Sequence, residues 1–246
     1  MLGTMKVPFA TQSGGVRGTT TRSVGQKGWL LGMIQITGIE DIYLKRFSTS
    51  MKVTSSLVLV GGVSGAGKTT VCDELREIHP AWNIVRTTTV RERHQGGDDE
   101  YYLHCTQGQF EGLMAEDKLY CCMKWPGNNK FYGLQNDELS KGSPGDTLLL
   151  GSTHFSLLLK MYGGTSGRLA WLICEDEAEH RHRIFNRNTV TAELQRRYDC
   201  AVYEQEYVLR QEREPGGRRL ADTVIDTSHK TAKETAREII RKLNLL

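Results

Sequence analysis

Short apolar runs alternate with segments of helical periodicity from residue 55 onward. Apolar runs of this kind are typical of strands buried on both faces of a parallel sheet. We predict strands over Ser56–Val60, Asn83–Thr87, Thr147–Leu150, Leu169–Cys174 and Thr223–Ile225. We predict helices over Thr69–Ile78, Thr106–Glu116, His154–Tyr162, Asp176–Arg187, Thr191–Glu212 and Lys230–Leu243. The alternation predicts an α/β fold, a parallel sheet flanked by helices.

The pattern changes between about residues 86 and 145. Short apolar and aromatic runs at Tyr101–Leu103, Leu119–Met123 and Lys130–Tyr132 are separated by turns rich in glycine, proline and asparagine. Such runs predict short strands joined by tight connections. We therefore expect a small, β-rich, antiparallel insert in the α/β domain.

One motif narrows the chemistry more than any other. Residues 62–69 read Gly-Val-Ser-Gly-Ala-Gly-Lys-Thr, the complete G-x-x-x-x-G-K-[ST] phosphate-binding loop, or P-loop, between a predicted strand and a predicted helix. Its glycines let backbone N–H groups turn toward a phosphate. The lysine adds a positive charge for the β and γ phosphates, and Thr69 supplies a hydroxyl for Mg²⁺. We predict an ATP site formed by Gly62, Val63, Ser64, Gly65, Ala66, Gly67, Lys68, Thr69 and Thr70.

Composition and charge exclude several classes. The chain has 246 residues and a formal net charge of +3, of which residues 1–50 contribute six basic and two acidic residues. The remainder is thus nearly neutral, which argues against a nucleic-acid-binding domain. The six cysteines show no metal-ligand spacing and predict reduced thiols in an intracellular compartment.

The first fifty residues have a different composition. Residues 1–39 contain four basic and no acidic residues and are rich in Ser and Thr, the pattern of a mitochondrial or plastid transit peptide. The alternative is an upstream extension with translation starting at Met51, which would leave a cytoplasmic protein. The apolar stretch Trp29–Ile39 is too short and too polar to span a membrane. We assign residues 1–50 to an N-terminal extension and residues 51–246 to the catalytic domain.

Arginines concentrate between about residues 181 and 200, where we predict a helical lid. Arg187 ends one predicted helix, and Arg197 lies about a turn and a half into the next. Glu193 is four residues before Arg197, so the two share a helix face. A solvated basic helix face is the alternative interpretation.

A phosphate loop, a β-rich insert and an arginine-rich helical region follow one another in the order of a nucleotide kinase. Phosphoryl transfer needs a donor cradle, an acceptor clamp and cations over the transferring group. Guanidinium forks match phosphate oxygens, so the clamp is expected among the insert's Arg and Tyr residues. These lie in Thr87–Arg93, Asp98–Tyr102 and Lys130–Gly133.

With these segments the chain resembles the guanylate kinase family, from about Leu57 to Leu243. That family has a similar loop, a T-T-R-x-P-R…D-Y-x-F segment and a tryptophan-containing strand that leads to a Y-Y-G turn. The resemblance implies that the acceptor's phosphate is held by Arg91, Arg93, Tyr101 or Tyr102, and Tyr132. It also implies that Arg187 and Arg197 belong to the lid that closes over ATP.

The chain departs from that family where guanine is read. Guanylate kinases carry a Glu before the strand tryptophan and a Ser or Thr after the Y-G. The corresponding residues here are Met123 or Lys124, and Leu134, which cannot accept hydrogen bonds from guanine. The chain also resembles the ribose 1,5-bisphosphate phosphokinases, shortened relatives without these acids. That similarity runs through the W-x-x-N-x-x-F-Y-G stretch from Trp125 and through Gly151–Ser152.

Three functions follow from these observations. The first is an ATP- and Mg²⁺-dependent kinase that acts on a phosphorylated small molecule, with a nucleoside monophosphate as the nominal acceptor and Lys68, Arg187 and Arg197 as catalytic residues. The second is the same chemistry on a ribose phosphate. The third, of another class, is a non-catalytic guanylate kinase-like scaffold or a component of an organellar assembly. The intact P-loop opposes the third function.

Overall fold

The computed structural model describes residues 42–43, 56–93, 99–125, 127–143, 146–162, 167–186, 191–213 and 219–245. The described strands are β1 Ile42–Tyr43, β2 Ser56–Gly62, β3 Asn83–Ile84, β4 Thr87–Thr89, β5 Tyr102–His104, β6 Leu119–Trp125, β7 Lys130–Gln135, β8 Thr147–Gly151, β9 Arg168–Ile173 and β10 Thr223–Asp226. The described helices are α1 Lys68–Ile78, α2 Gln107–Ala115, α3 Asn136–Leu139, α4 Thr153–Tyr162, α5 Glu177–Phe185, α6 Thr191–Arg213 and α7 Ala232–Leu243.

The central sheet is parallel throughout, in the order β10-β9-β2-β8-β3. Strand β2 lies in its middle and is buried from its second residue onward. Alternate side chains of a strand point to opposite faces. Leu57 and Leu59 accordingly pack in one hydrophobic cluster with α4, whereas Val58 and Val60 pack in another with α1 and α7. The predicted α/β fold, a parallel sheet flanked by helices, is confirmed.

A second sheet forms the insert, in the order β1-β6-β7-β4-β5. Strands β6 and β7 form an antiparallel hairpin, and β7 pairs antiparallel with β4. The prediction of an all-antiparallel insert is wrong at one pair, because β4 and β5 are parallel. A parallel neighbour needs a long connection, and here residues 90–101 provide it.

The single strand predicted over Asn83–Thr87 is divided between the two sheets. Strand β3 pairs with β8 in the central sheet, and β4 starts three residues after it in the insert. Glu138 stabilises the segment between β3 and β4, where the chain passes from one sheet to the other. Its buried carboxylate accepts from the backbone N–H of Arg86 at 2.9 Å and from the same residue's guanidinium at 3.1 Å. A continuous apolar run does not reveal that a chain leaves one sheet for another.

Ile42 and Tyr43, which belong to the segment assigned to the N-terminal extension, pair with Met123 and Cys122 as the edge strand of the insert. The targeting signal predicted over residues 1–39 lies outside the described residues. In the described part of the chain, no helix combines the length and the apolar character needed to cross a membrane. The six cysteines form no disulfide in the described structure.

Candidate active site

The phosphate loop connects β2 to α1 with three glycines at positive φ. Gly62, Gly65 and Gly67 have φ angles of 143°, 85° and 84°, a region that residues with a Cβ rarely adopt. A Cβ added at Gly62 would lie 2.5 Å from the carbonyl oxygen of Leu172 on β9. A Cβ at Gly67 would meet nothing within 4 Å, so the loop is open at the start of the helix.

Lys68 and the two threonines after it stand at the N-terminus of α1. The Nζ of Lys68 donates to the carbonyl oxygens of Gly62 at 2.9 Å and Val63 at 2.8 Å, so its ammonium lies across the loop. Thr69 and Thr70 are exposed. The first N–H groups of a helix have no intrahelical partner and favour an anion.

Two neighbouring elements hold the carbonyl groups on the outer side of the loop. His180 on α5 is buried, and its Nε2 lies 2.7 Å from the carbonyl oxygen of Ser64. Thr227, just after β10, places its hydroxyl 3.2 Å from the carbonyl oxygen of Ala66. Arg183 donates to the hydroxyl of Thr227 at 3.0 Å. The loop is therefore fixed to the body of the protein from outside.

No carboxylate follows β8 where the central sheet meets the loop. The strand is followed by Ser152 and Thr153, and the hydroxyl of Thr153 donates to the carbonyl oxygen of Gly62 at 2.7 Å. His154 comes next and is buried, with 3.0 Å between its Nε2 and the Oε1 of Glu204 on α6. This edge of the site therefore stabilises the loop and the lid helix.

The insert brings predicted acceptor residues together through stacking. The guanidinium carbon of Arg91 lies 4.1 Å from the centroid of the Tyr102 ring. Arg91 is also almost fully buried, and its carbonyl oxygen lies 3.1 Å from Nδ1 of His104 on β5. A cation held over an aromatic face keeps its planar fork available for a phosphate.

Tyr132 on β7 lies beside this pair. Its hydroxyl accepts from the side-chain amide of Asn128 at 2.7 Å. Burial raises the pKa of Tyr132, as does the neighbouring Tyr102, whereas Arg91 and Arg197 lower it. The phenol therefore stays protonated and can donate its hydrogen to an acceptor oxygen.

Arg197 on α6 connects the lid to the insert. It is buried, it pairs with Glu193 at 2.6 Å as the spacing predicts, and its guanidinium carbon lies 5.5 Å from the centroid of the Trp125 ring. Trp125 in turn meets the Tyr132 ring edge-on, at 6.3 Å between centroids. We define the acceptor cluster as Arg91, Tyr102, Trp125, Asn128, Tyr132 and Arg197.

Other predicted residues lie elsewhere. The hydroxyl of Tyr101 donates to Asp73 on α1, so this ring joins the insert to the P-loop helix rather than entering the acceptor cluster. Arg93 is exposed and pairs with Asp99 at 3.0 Å. Arg187 lies outside the described residues. Of the other lid arginines, Arg181 lies over the rings of Phe185 and Tyr198.

Several residues that contact the loop or join the acceptor cluster were not predicted as site residues from the sequence. His180, Thr227 and Thr153 contact the loop through single hydrogen bonds to backbone carbonyls, which no local motif marks. Asn128 was visible only as part of the W-x-x-N-x-x-F-Y-G stretch.

The donor residues fit the Mg²⁺-nucleotide that this fold implies. The open space at Gly67 suits a phosphate, and Lys68 supplies its counter-charge. Thr69 offers an exposed hydroxyl as a metal ligand. In the described residues no cluster of three or more His, Cys, Asp or Glu side chains could hold a metal. Thr69 and the nucleotide's own phosphate oxygens would hold a magnesium ion.

Comparison with known proteins points to one class. No protein-family model matches the chain. The guanylate kinase of Carboxydothermus hydrogenoformans is 40% identical over 63 residues, which cover 25% of this chain and 31% of that protein. The guanylate kinase of Clostridium perfringens is 29% identical over 155 residues, 62% of this chain and 71% of that protein.

A solved structure agrees in fold. The guanylate kinase from Anaplasma phagocytophilum superposes with a TM-score of 0.52 at 18% sequence identity, over 78% of this chain and 85% of that one. Fold and loop together define an α/β protein of the P-loop class. Within that class, the chain is similar to guanylate kinases in sequence and in fold.

Proposed function

We propose that the protein transfers the γ-phosphoryl group of ATP to a phosphorylated small molecule. The single observation that carries the proposal is the convergence of the acceptor cluster. Four separate segments bring two arginines, two tyrosines, a tryptophan and an asparagine together, within the domain that holds an intact P-loop. A protein without phosphoryl chemistry has no need for both halves.

The donor half binds and orients the nucleotide. Backbone N–H groups of the loop and of the first turn of α1 bind the phosphates, and Lys68 neutralises the β and γ groups. Thr69 and the phosphate oxygens would hold a magnesium ion, which would neutralise charge on the transferred group. Phosphoryl transfer passes through a loose transition state, so positioning and charge provide most of the rate.

The acceptor half holds the second substrate in line with the γ-phosphate. Arg91 binds the phosphate that the acceptor already carries, and Tyr102 and Tyr132 fix its oxygens. Arg197 lies between lid and insert, where its charge stabilises the equatorial oxygens as they develop charge. Arg187, four residues after Arg183 on the sequence, completes the lid in this proposal.

A nucleoside monophosphate is the first acceptor to consider, because the sequence relatives are named guanylate kinases. The chain lacks the side chains that would accept hydrogen bonds from guanine. Met123 and Leu134 are 3% and 0% exposed and belong to a hydrophobic cluster. A site without such acceptors discriminates poorly between bases.

The same observation favours a second acceptor, a ribose phosphate. An acceptor without a base needs no hydrogen-bond acceptors at Met123 and Leu134. Its phosphates would engage Arg91 and Arg197 as those of a nucleotide do. The tryptophan and asparagine of the acceptor cluster belong to the stretch that resembles the ribose 1,5-bisphosphate phosphokinases.

An acceptor screen tests the proposal. GMP, AMP, CMP, UMP and ribose 1,5-bisphosphate are each offered with ATP and Mg²⁺, and ADP release is measured. We expect turnover on at least one acceptor. The selectivity for GMP over AMP should be below about tenfold, because the pocket has no polar side chains that distinguish the bases. Tight ATP binding without turnover on any acceptor would instead support the scaffold function.

A further inference from the structure

Hydrogen bonds that no sequence motif predicts hold the outer side of the phosphate loop. His180 on α5 contacts the carbonyl oxygen of Ser64, with 2.7 Å between Nε2 and the oxygen. A carbonyl oxygen only accepts, so the Nε2 of His180 carries the hydrogen and donates it. The side chain is 2% exposed, so water does not compete for this bond.

This bond sets the direction of the next peptide N–H. In a planar trans peptide, the C=O of one residue and the N–H of the next point in opposite directions. The peptide between Ser64 and Gly65 is trans. Because the carbonyl of Ser64 points outward to His180, the N–H of Gly65 points to the inner, concave side of the loop. That side is where the phosphates of a nucleotide would lie.

The histidine ring also fits closely against the loop. A Cβ added at Gly65 would lie 3.1 Å from Cδ2 of His180 and 2.9 Å from Cγ1 of Ile184. The ring also meets Tyr198 of the lid helix, at 5.6 Å between centroids. Packed between the loop and the lid, the imidazole has little freedom to move away from Ser64.

We propose that His180 is a positioning residue of the donor site, which holds the Ser64 carbonyl outward so that the Gly65 N–H faces the bound triphosphate. It acts through the loop and does not touch the substrate. The inference rests on the proposed function, because it assigns the loop to a nucleotide. Thr227 makes a similar contact two peptides further on, at the carbonyl of Ala66.

Three variants of the full-length chain test the proposal. His180→Leu replaces the imidazole with an apolar side chain of similar length and removes the Nε2–H donor. His180→Gln restores an N–H donor. His182→Leu is the matched control, since His182 is an exposed histidine on the same helix. The Kd of ADP and of ATP with Mg²⁺ is measured by titration calorimetry, and unfolding is followed by circular dichroism.

We expect His180→Leu to weaken nucleotide binding about tenfold, the effect of one well-placed hydrogen bond. His180→Gln should bind within about twofold of wild type, and His182→Leu should match wild type. In turnover assays with an acceptor from the screen, the KM for ATP should rise while the KM for the acceptor stays constant. His180→Phe replaces the leucine variant if that protein does not fold.

Two results would overturn the inference and leave the proposed function intact: wild-type affinity in a folded His180→Leu or His180→Phe protein, or equal losses in the leucine and glutamine variants. Failure of the wild-type protein to bind either nucleotide would instead remove the proposed function and, with it, the role assigned to His180.

Discussion

The donor and acceptor halves of the site are built in different ways. The phosphate loop is one continuous segment, anchored by hydrogen bonds from its own lysine, from Thr153 and from His180. The acceptor cluster is assembled from four segments, and ring and cation contacts hold much of it, such as Arg91 over Tyr102 and Arg197 over Trp125. One half is fixed by backbone geometry, the other by side-chain packing.

This difference bears on how each half tolerates change. The phosphate loop tolerates few substitutions. Its glycines have positive φ, and neighbouring residues leave no room for a Cβ at Gly62 or Gly65. A side-chain cluster can change its chemistry while the fold remains. Buried apolar residues at Met123 and Leu134 next to a complete P-loop match that expectation.

The largest expected effect is on the donor side. Lys68→Ala removes the charge that neutralises the β and γ phosphates, so we expect kcat to fall about a thousandfold, at the upper end for a lost electrostatic stabiliser. Steady-state ADP release measures it, and circular dichroism checks the fold. Lys233→Ala, at an exposed lysine on α7, is the control. Wild-type turnover in Lys68→Ala would remove the assignment of this loop to catalysis.

Arg197→Met is the corresponding test on the acceptor side. The change keeps the length of the side chain but removes its charge and its contact with the Trp125 ring. We expect kcat to fall about a hundredfold, because a cation over the transferring group acts mainly in the transition state. Single-turnover assays measure it. The exposed neighbour Arg196, changed to Met, should behave as wild type; equal losses in both variants would point to a general charge effect.

The same contrast explains how much the sequence could predict. The P-loop was predictable because its motif consists of eight consecutive residues, and its backbone conformation requires glycine at fixed positions. The pair of Glu193 and Arg197 was predictable because four residues make one helical turn. Tyr101 was assigned to the acceptor, but its hydroxyl donates to Asp73, because sequence spacing does not show which of two adjacent tyrosines faces the site.

Elements whose partners are distant in sequence were the hardest to predict. The pairing of β1 with β6 and the parallel pairing of β4 with β5 depend on contacts that no local pattern encodes. His180 is a further case, since its partner Ser64 lies 116 residues away. The sequence of this charged helix gives no sign that His180 is buried against a loop.

A smaller effect should separate the roles of the two substrates. Tyr132→Phe removes one hydroxyl, which accepts from Asn128 and is available to the acceptor. We expect the KM for the acceptor to rise about fivefold to tenfold, as for one hydrogen bond, with the KM for ATP unchanged. Initial-rate kinetics with each substrate varied in turn measure both. Tyr203→Phe, at an exposed tyrosine, is the control. A rise in the KM for ATP alone would place Tyr132 on the donor side.

The smallest expected effect is a pH dependence of stability. Burial lowers the pKa of His180, and the charges of Arg183 and Lys68 act in the same direction, while its bond to Ser64 opposes them. The folded protein therefore keeps this ring neutral at a pH where the unfolded chain, with a histidine pKa of about 6.5, takes up a proton. The stabilisation is present above pH 6.5 and is lost as the pH falls below it, by at most about 1.4 kcal/mol per pH unit.

Urea denaturation between pH 7.5 and pH 5.5 measures this loss. The free energy of unfolding of the wild type should fall more steeply toward low pH than that of His180→Gln, because glutamine at position 180 does not titrate. His182→Gln removes an exposed histidine instead and should keep the slope of the wild type. Equal slopes in wild type and His180→Gln would mean that this ring accepts a proton as readily in the fold as in the unfolded chain.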